Sequence, residues 1–290
     1  MKIIESPREA FQAFPRNLSA DDKVRYINHL VRAGFYAVEV GSLASPARIP
    51  QLADSLEVLE RLDLSGTKPN LMFLALNENG AAILAQNERI TSISYPFSFS
   101  SAFSRHNLNT TVEASFETAR SIIERCAAAG KEAVIYISMA FGNPYGDPWS
   151  IELLCGWIEK LQDAGARTIV LSNVSVPVEP ETIAGIYLQL IHAFPTLELG
   201  FHLHTHSAAW HAQVTAAYLS GCRRFDGVLR GMGGCPMTGG ALLGNLATEN
   251  LIAYATENGI LLSVDQQEIT ESINLATEIF SPFRYLPAGR

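Results

Sequence analysis

Short apolar runs alternate with amphipathic stretches eight times along this chain, and that alternation most limits what it can fold into. The runs are residues 2–5 (KIIE), 36–40 (YAVEV), 71–76 (LMFLAL), 90–95 (ITSISY), 132–138 (EAVIYIS), 168–172 (TIVLS), 197–204 (LELGFHLH) and 225–229 (FDGVL). Helical patterns follow them near 19–33, 50–62, 78–86, 110–129, 149–164, 180–194, 208–220 and 243–257. A strand that reads as continuously apolar is covered on both faces, as in a parallel sheet sheathed by helices. Eight such units in 290 residues predict an α/β fold of the (β/α)8 TIM-barrel type, spanning 1–290 as one domain, rather than a doubly wound sheet. A last amphipathic stretch near 264–280 reads as an extra C-terminal helix packed over the barrel. Punctuation agrees with this reading: Ser19 stands three residues before Asp22 at one helix start, and Gly34, Gly130, Gly165, Gly221 and Gly259 follow helical patterns.

Composition narrows the function classes. With 48% hydrophobic residues and 17% charged, a large core is available. A net charge of −8 argues against nucleic acid or an anionic membrane surface as partner. Cys126, Cys155, Cys222 and Cys235 form no CxxC pair, which points to reduced thiols and a cytoplasmic protein. The opening MKIIESPREAF lacks the apolar region of a secretory leader, and no run reaches the length of a membrane span.

A barrel of this kind carries its chemistry at the C-terminal ends of its strands and in the loops that follow. Four of the seven histidines crowd into residues 202–211. Alternate residues of a strand share a face, so His202 and His204 point at one spot in the barrel mouth and read as a metal-binding pair. His206 falls in the loop beyond, and His211 on the helix surface. A hard divalent cation also needs oxygen donors. The first strand supplies Glu5 and then Arg8 and Glu9, the second ends at Glu39, and the sixth ends at Asn173. After the eighth strand, residues 230–250 (RGMGGCPMTGGALLGNLATEN) hold six glycines without the GxGxxG order of a dinucleotide fold. Cys235 sits in that glycine loop as a reactive thiol on a mobile lid, and Asn245 follows as a helix N-cap or an amide ligand. In the fourth loop, Arg105 and His106 are candidates for contacts to a phosphate-bearing cofactor or substrate.

Taken together, these residues resemble the 3-hydroxy-3-methylglutaryl-CoA lyase family, within the wider group of metal-dependent lyase and synthase barrels. The resemblance rests on GGCP (233–236) with GNLATEN (244–250), on HLH (202–204), on SPREAFQ (6–12), on SPARIPQLAD (45–54) and on FGNPYGD (141–147). It implies a divalent metal, Mg2+ or Mn2+, on Glu9, His202, His204 and Asn245. It implies retro-aldol cleavage of an acyl-CoA, 3-hydroxy-3-methylglutaryl-CoA, to acetoacetate and acetyl-CoA. Arg8, Glu39, His202 and Cys235 would be the catalytic residues, and a homodimer the assembly. The alternatives are a related aldol-type lyase or synthase acting on another acyl-CoA or a 2-oxo acid, and a non-catalytic divergent paralogue. The chain departs from the family pattern with Glu9 for an aspartate, Asn173 for an aspartate, Asn143 for a cysteine, and Arg230 for a small apolar residue.

Overall fold

The computed structural model describes residues 1–173, 177–233 and 243–280. Eight parallel strands close on themselves: β1 (Lys2–Glu5), β2 (Ala37–Ser42), β3 (Leu71–Leu74), β4 (Ser92–Phe97), β5 (Glu132–Ser138), β6 (Thr168–Ser172), β7 (Glu198–His202) and, after a further short strand β8 (His204–Thr205), β9 (Arg224–Gly227). Closure is made by β9, whose Phe225 is in register with Phe201 of β7 on one side and Ile3 of β1 on the other. The expected (β/α)8 barrel is therefore what forms.

The two faces of each strand divide the apolar residues between two cores. Ile3, Val38, Phe73, Ile135, Ile169, Phe201 and Phe225 face outward into a large core shared with the helices. Ile4, Ala37, Met72, Val134 and Val170 face inward and fill the barrel with Tyr36 and Tyr136. This alternation explains why the strands read as continuous apolar runs: both faces are out of water. It also fixes what lies inside further along each strand. In β7 and β9, Phe201 and Phe225 point out, so His202 and Asp226 point in.

The outer layer comprises α1 (Pro7–Ala13), α2 (Ala20–Arg32), α3 (Ser55–Arg61), α4 (Glu78–Gln86), a short α5 (Ser101–Phe103), α6 (Val112–Ala128), α7 (Ile151–Asp163), α8 (Pro180–Ala193), α9 (Trp210–Leu219), α10 (Thr248–Glu257) and α11 (Gln266–Phe280). The Ser19 hydroxyl accepts the Asp22 N–H at 3.1 Å and starts α2, as its spacing predicts. The terminal helix α11 is the expected addition; its Phe280 ring packs on Phe11, Phe14 and Tyr26 at 6.3, 5.4 and 5.9 Å. No helix among the described residues is long and apolar enough to cross a membrane.

Three local expectations change. The first loop holds a helix, α1, where the sequence pattern begins only at Ser19; Pro7 at its first turn supplies a preset φ and lacks an N–H that would go unused there. Residues 50–62 divide into a 3-10 turn, Pro50–Leu52, and α3. The seventh strand stops at His202, and His204–Thr205 leaves the barrel to pair antiparallel with β10 (Gly244–Asn245). Asn245 accordingly lies on a strand, three residues before α10, and does not cap a helix.

Candidate active site and metal centre

Glu9, His202 and His204 converge at the C-terminal mouth of the barrel, each offering one ligand atom, and those atoms lie within 4.8 Å of one another. Three elements bring them together. The first turn of α1 carries Glu9 over the strand ends, the inward face of β7 carries His202, and the β8 excursion carries His204 back toward it, with the two imidazoles 5.0 Å apart. The expected convergence of the two histidines holds, but strand alternation is not its cause, because β7 has ended before His204 is reached.

Each imidazole is oriented by a different acceptor. His202 Nδ1 lies 3.1 Å from Asp226 Oδ2, which also accepts the Tyr136 hydroxyl at 2.7 Å. His204 Nδ1 lies 2.5 Å from the Asn173 carbonyl oxygen. Both histidines are thereby left with Nε2 as the ring atom that faces the site. Burial by itself would lower the pKa of His202; the Asp226 hydrogen bond and charge, with Glu9, outweigh it and raise the pKa above its ordinary value. Burial and the charge of His202 hold His204 down, at about 4. Burial would raise the Glu9 carboxyl, but Arg8, His202 and His204 outweigh it and hold it at about 2.

A cation fits these residues. Among the described residues, buried His204 Nε2 and Asn245 Oδ1 find no hydrogen-bond partner, an arrangement that costs free energy unless something accepts their lone pairs. Asn245 is turned so that Nδ2 donates to the Met232 carbonyl at 2.7 Å, leaving Oδ1 as the free end. The loop entry brings Asn245 and Glu9 together: a methyl group on Gly233 would stand 2.8 Å from the Glu9 carbonyl oxygen and 2.9 Å from Asn245 Nδ2. Its φ of +88° would also strain any other residue. One carboxylate, two imidazoles and an amide oxygen make a mixed oxygen and nitrogen donor set suited to a divalent ion.

Beside this group, Arg8 is held on several sides. Its Nε and one terminal nitrogen donate to Glu39 Oε2 at 2.9 and 2.6 Å, the other terminal nitrogen donates to Gln12 at 3.1 Å, and Glu9 approaches at 2.7 Å. Ser94 donates to the second Glu39 oxygen at 2.8 Å. Glu39 therefore stands behind Arg8, outside the ligand group, and burial pushes its pKa up.

The remaining sequence candidates separate. Glu5 is fully buried but outside the site: its carboxyl accepts the Leu229 N–H at 2.9 Å and bonds Thr248, tying β1 to α10. Burial raises its pKa to about 8. The Asn173 side chain bonds the His204 backbone. Arg230 leaves the site, since its guanidinium reaches Thr277 on α11 at 2.5 Å. Asn143 organises its own turn, with Oδ1 accepting the Tyr145 and Asp147 N–H groups at 3.1 and 3.0 Å. Arg105 and His106 are exposed on a π-helical turn (Ser104–Leu108), and the His106 ring meets Tyr145 at 6.0 Å. His206 is exposed, and His211 pairs with Glu257 at 3.2 Å on the surface. Cys235 lies outside the described residues. Asp226 and Tyr136 were not singled out from the sequence. The signal was present: a carboxylate inside the apolar run FDGVL is out of place unless the strand end faces a polar site.

The HMGL-like family model matches residues 2–275. The hydroxymethylglutaryl-CoA lyase of Pseudomonas mevalonii is 29% identical over 273 residues, covering 93% of this chain and 89% of that protein. The (R)-citramalyl-CoA lyase of Chloroflexus aurantiacus is 28% identical over 275 residues, covering 90% and 84%. A solved HMG-CoA lyase of Acinetobacter baumannii, in complex with coenzyme A and 3-methylmalate, superposes with a TM-score of 0.87 at 26% identity, covering 100% of this chain and 95% of that one. With its closed barrel and a Glu–His–His group at the mouth, the chain belongs to the HMGL-like family and is a lyase of that family.

Proposed function

We propose that the chain cleaves 3-hydroxy-3-methylglutaryl-CoA to acetoacetate and acetyl-CoA by a metal-assisted retro-aldol reaction. The observation that carries this reading is the convergence of Glu9, His202 and His204 within 4.8 Å beside a buried arginine. Relatives named for that activity, and the A. baumannii lyase solved with coenzyme A, support it. Glu9, His202, His204 and the free Oδ1 of Asn245 would hold Mg2+ or Mn2+. When bound, such an ion lowers the pKa of a substrate hydroxyl and neutralises carboxylate charge.

The chain's own residues supply the rest. Cleavage requires loss of the hydroxyl proton, rupture of the bond between the carbinol carbon and the carbon next to the thioester, and protonation of the enolate carbon that results. Arg8 spends most of its five N–H groups on Glu39, Gln12 and Glu9, so it arrives rigid, with one N–H that no described residue takes and that can meet an oxyanion. Glu39 fixes that arginine and acts through it, as a positioning residue. Because His202 Nδ1 is committed to Asp226, its ligand and base roles compete for Nε2; we assign Nε2 to the ion, and a water beside it would take the hydroxyl proton. Cys235 is the proton donor to the enolate carbon. Arg105 and His106, exposed at the same rim, are the proposed contacts to the CoA phosphates.

The test is acetoacetate release from the CoA ester with Mg2+ or Mn2+. No product with either ion, from folded protein that binds Mn2+, would overturn the substrate. A second reading, cleavage of another 3-hydroxyacyl-CoA, is favoured by the similarity to the citramalyl-CoA lyase. Faster turnover of citramalyl-CoA in the same assay would establish it. Replacing Cys235 by Ser is expected to lower turnover far more than Mn2+ affinity; an equal fall in both would reassign the thiol to loop structure.

A further inference from the structure

Asn173 follows the last residue of β6, and its side chain is buried. Its Nδ2–H donates to the His204 carbonyl oxygen at 2.8 Å, and its Oδ1 accepts the His204 N–H at 2.8 Å. The side-chain amide thus pairs with His204 as a peptide on a neighbouring strand would, at the point where the barrel ladder has run out: the β6–β7 register ends at Ser172 and His202. The main chain adds a third contact, from the Asn173 carbonyl oxygen to His204 Nδ1 at 2.5 Å. A carbonyl oxygen only accepts, so Nδ1 carries the ring proton and Nε2 the lone pair. Nε2 is buried and has no partner among the described residues.

We propose that Asn173 is a positioning residue for the metal centre, acting through His204: its amide holds the His204 backbone and its carbonyl selects the Nδ1–H tautomer, so that Nε2 is presented as a ligand. The inference rests on the metal reading above. An amide is the side chain that does this, because it offers a donor and an acceptor in one plane. Aspartate in its place keeps the acceptor but sets an oxygen against the His204 carbonyl. Alanine removes both contacts. In either case the His204 backbone loses its lateral support, and with it the alignment of Nδ1 on the Asn173 carbonyl.

Two measurements on metal-free protein test this: Mn2+ affinity by calorimetry for the wild type, Asn173→Asp and Asn173→Ala, and the histidine tautomers by long-range proton–nitrogen NMR. The wild type is expected to show His204 as Nδ1–H, and each variant to bind Mn2+ about 10–100-fold more weakly, the usual effect of removing a group that orients a ligand. Mn2+ affinity within twofold of wild type in either folded variant, or an Nε2–H tautomer for His204, would overturn the proposal. Should both variants fail to fold, the wild-type tautomer decides. A wild type that binds no Mn2+ sinks the metal reading, while the tautomer still reports on Asn173.

Discussion

His202 and His204 are two residues apart, both buried, and held in opposite electrostatic surroundings. His202 leans on a carboxylate, Asp226, that shares its second contact with Tyr136. His204 leans on a neutral carbonyl and is braced by an amide. The consequence is a split: the pKa of one imidazole is raised and that of the other is lowered to about 4. One neighbour is a charge and the other a neutral acceptor, so changing the charge of either neighbour should be felt by one imidazole and not by the other.

Breaking the pair outright has the largest expected effect. His204→Ala should reduce Mn2+ binding and turnover together by more than about 100-fold, since it removes one of the proposed ligands. Retained activity, measured with acetoacetate release, would remove the metal from the reaction. Next comes Asp226→Asn, which keeps the acceptor for His202 Nδ1 but not the charge; about 10–100-fold weaker Mn2+ binding is expected. An unchanged affinity would mean that His202 needs only an acceptor, as His204 does, and the contrast between them would dissolve. Tyr136→Phe removes one neutral hydroxyl from Asp226 and should cost about 1 kcal/mol of the same coupling, roughly fivefold in affinity.

The smallest effect on the site is expected from Glu5, a buried acid with no part in either histidine. Its folded-state pKa of about 8 stands above the ordinary carboxyl value of 4.5. Its contribution to stability is therefore fully present below about pH 4.5 and is lost as pH rises through 8. Glu5→Gln should leave turnover at neutral pH unchanged while flattening the fall in melting temperature between pH 5 and 8. A variant whose alkaline stability matches that of the wild type would show that Glu5 is not buried as an acid.

Much of the site is legible without coordinates because its parts lie where periodicity is strong. His202 ends an apolar strand, and Glu9 follows one, so the barrel rule alone puts them at the mouth. Arg8 and Glu39 were also legible as rim residues, but not as a pair: 31 residues separate them, and only closure of β1 on β2 brings them within 2.6 Å. Glu5 shows the opposite failure. It ends β1, whereas Glu39 lies within β2, and its side chain takes the other face and meets Leu229 and Thr248. In a barrel buried on both faces an apolar run carries no mark of which phase is inside.

Sequence by itself determined the barrel, because eight continuous apolar runs separated by amphipathic helices have few other ways to bury both faces of every strand. It determined which residue types stand at the catalytic rim. Tertiary structure alone decided how each imidazole is held. The acceptors for His202 and His204 come from β9 and from the end of β6, 24 and 31 residues away, and a hydrogen bond is set by position within a few tenths of an ångström, which no local pattern encodes.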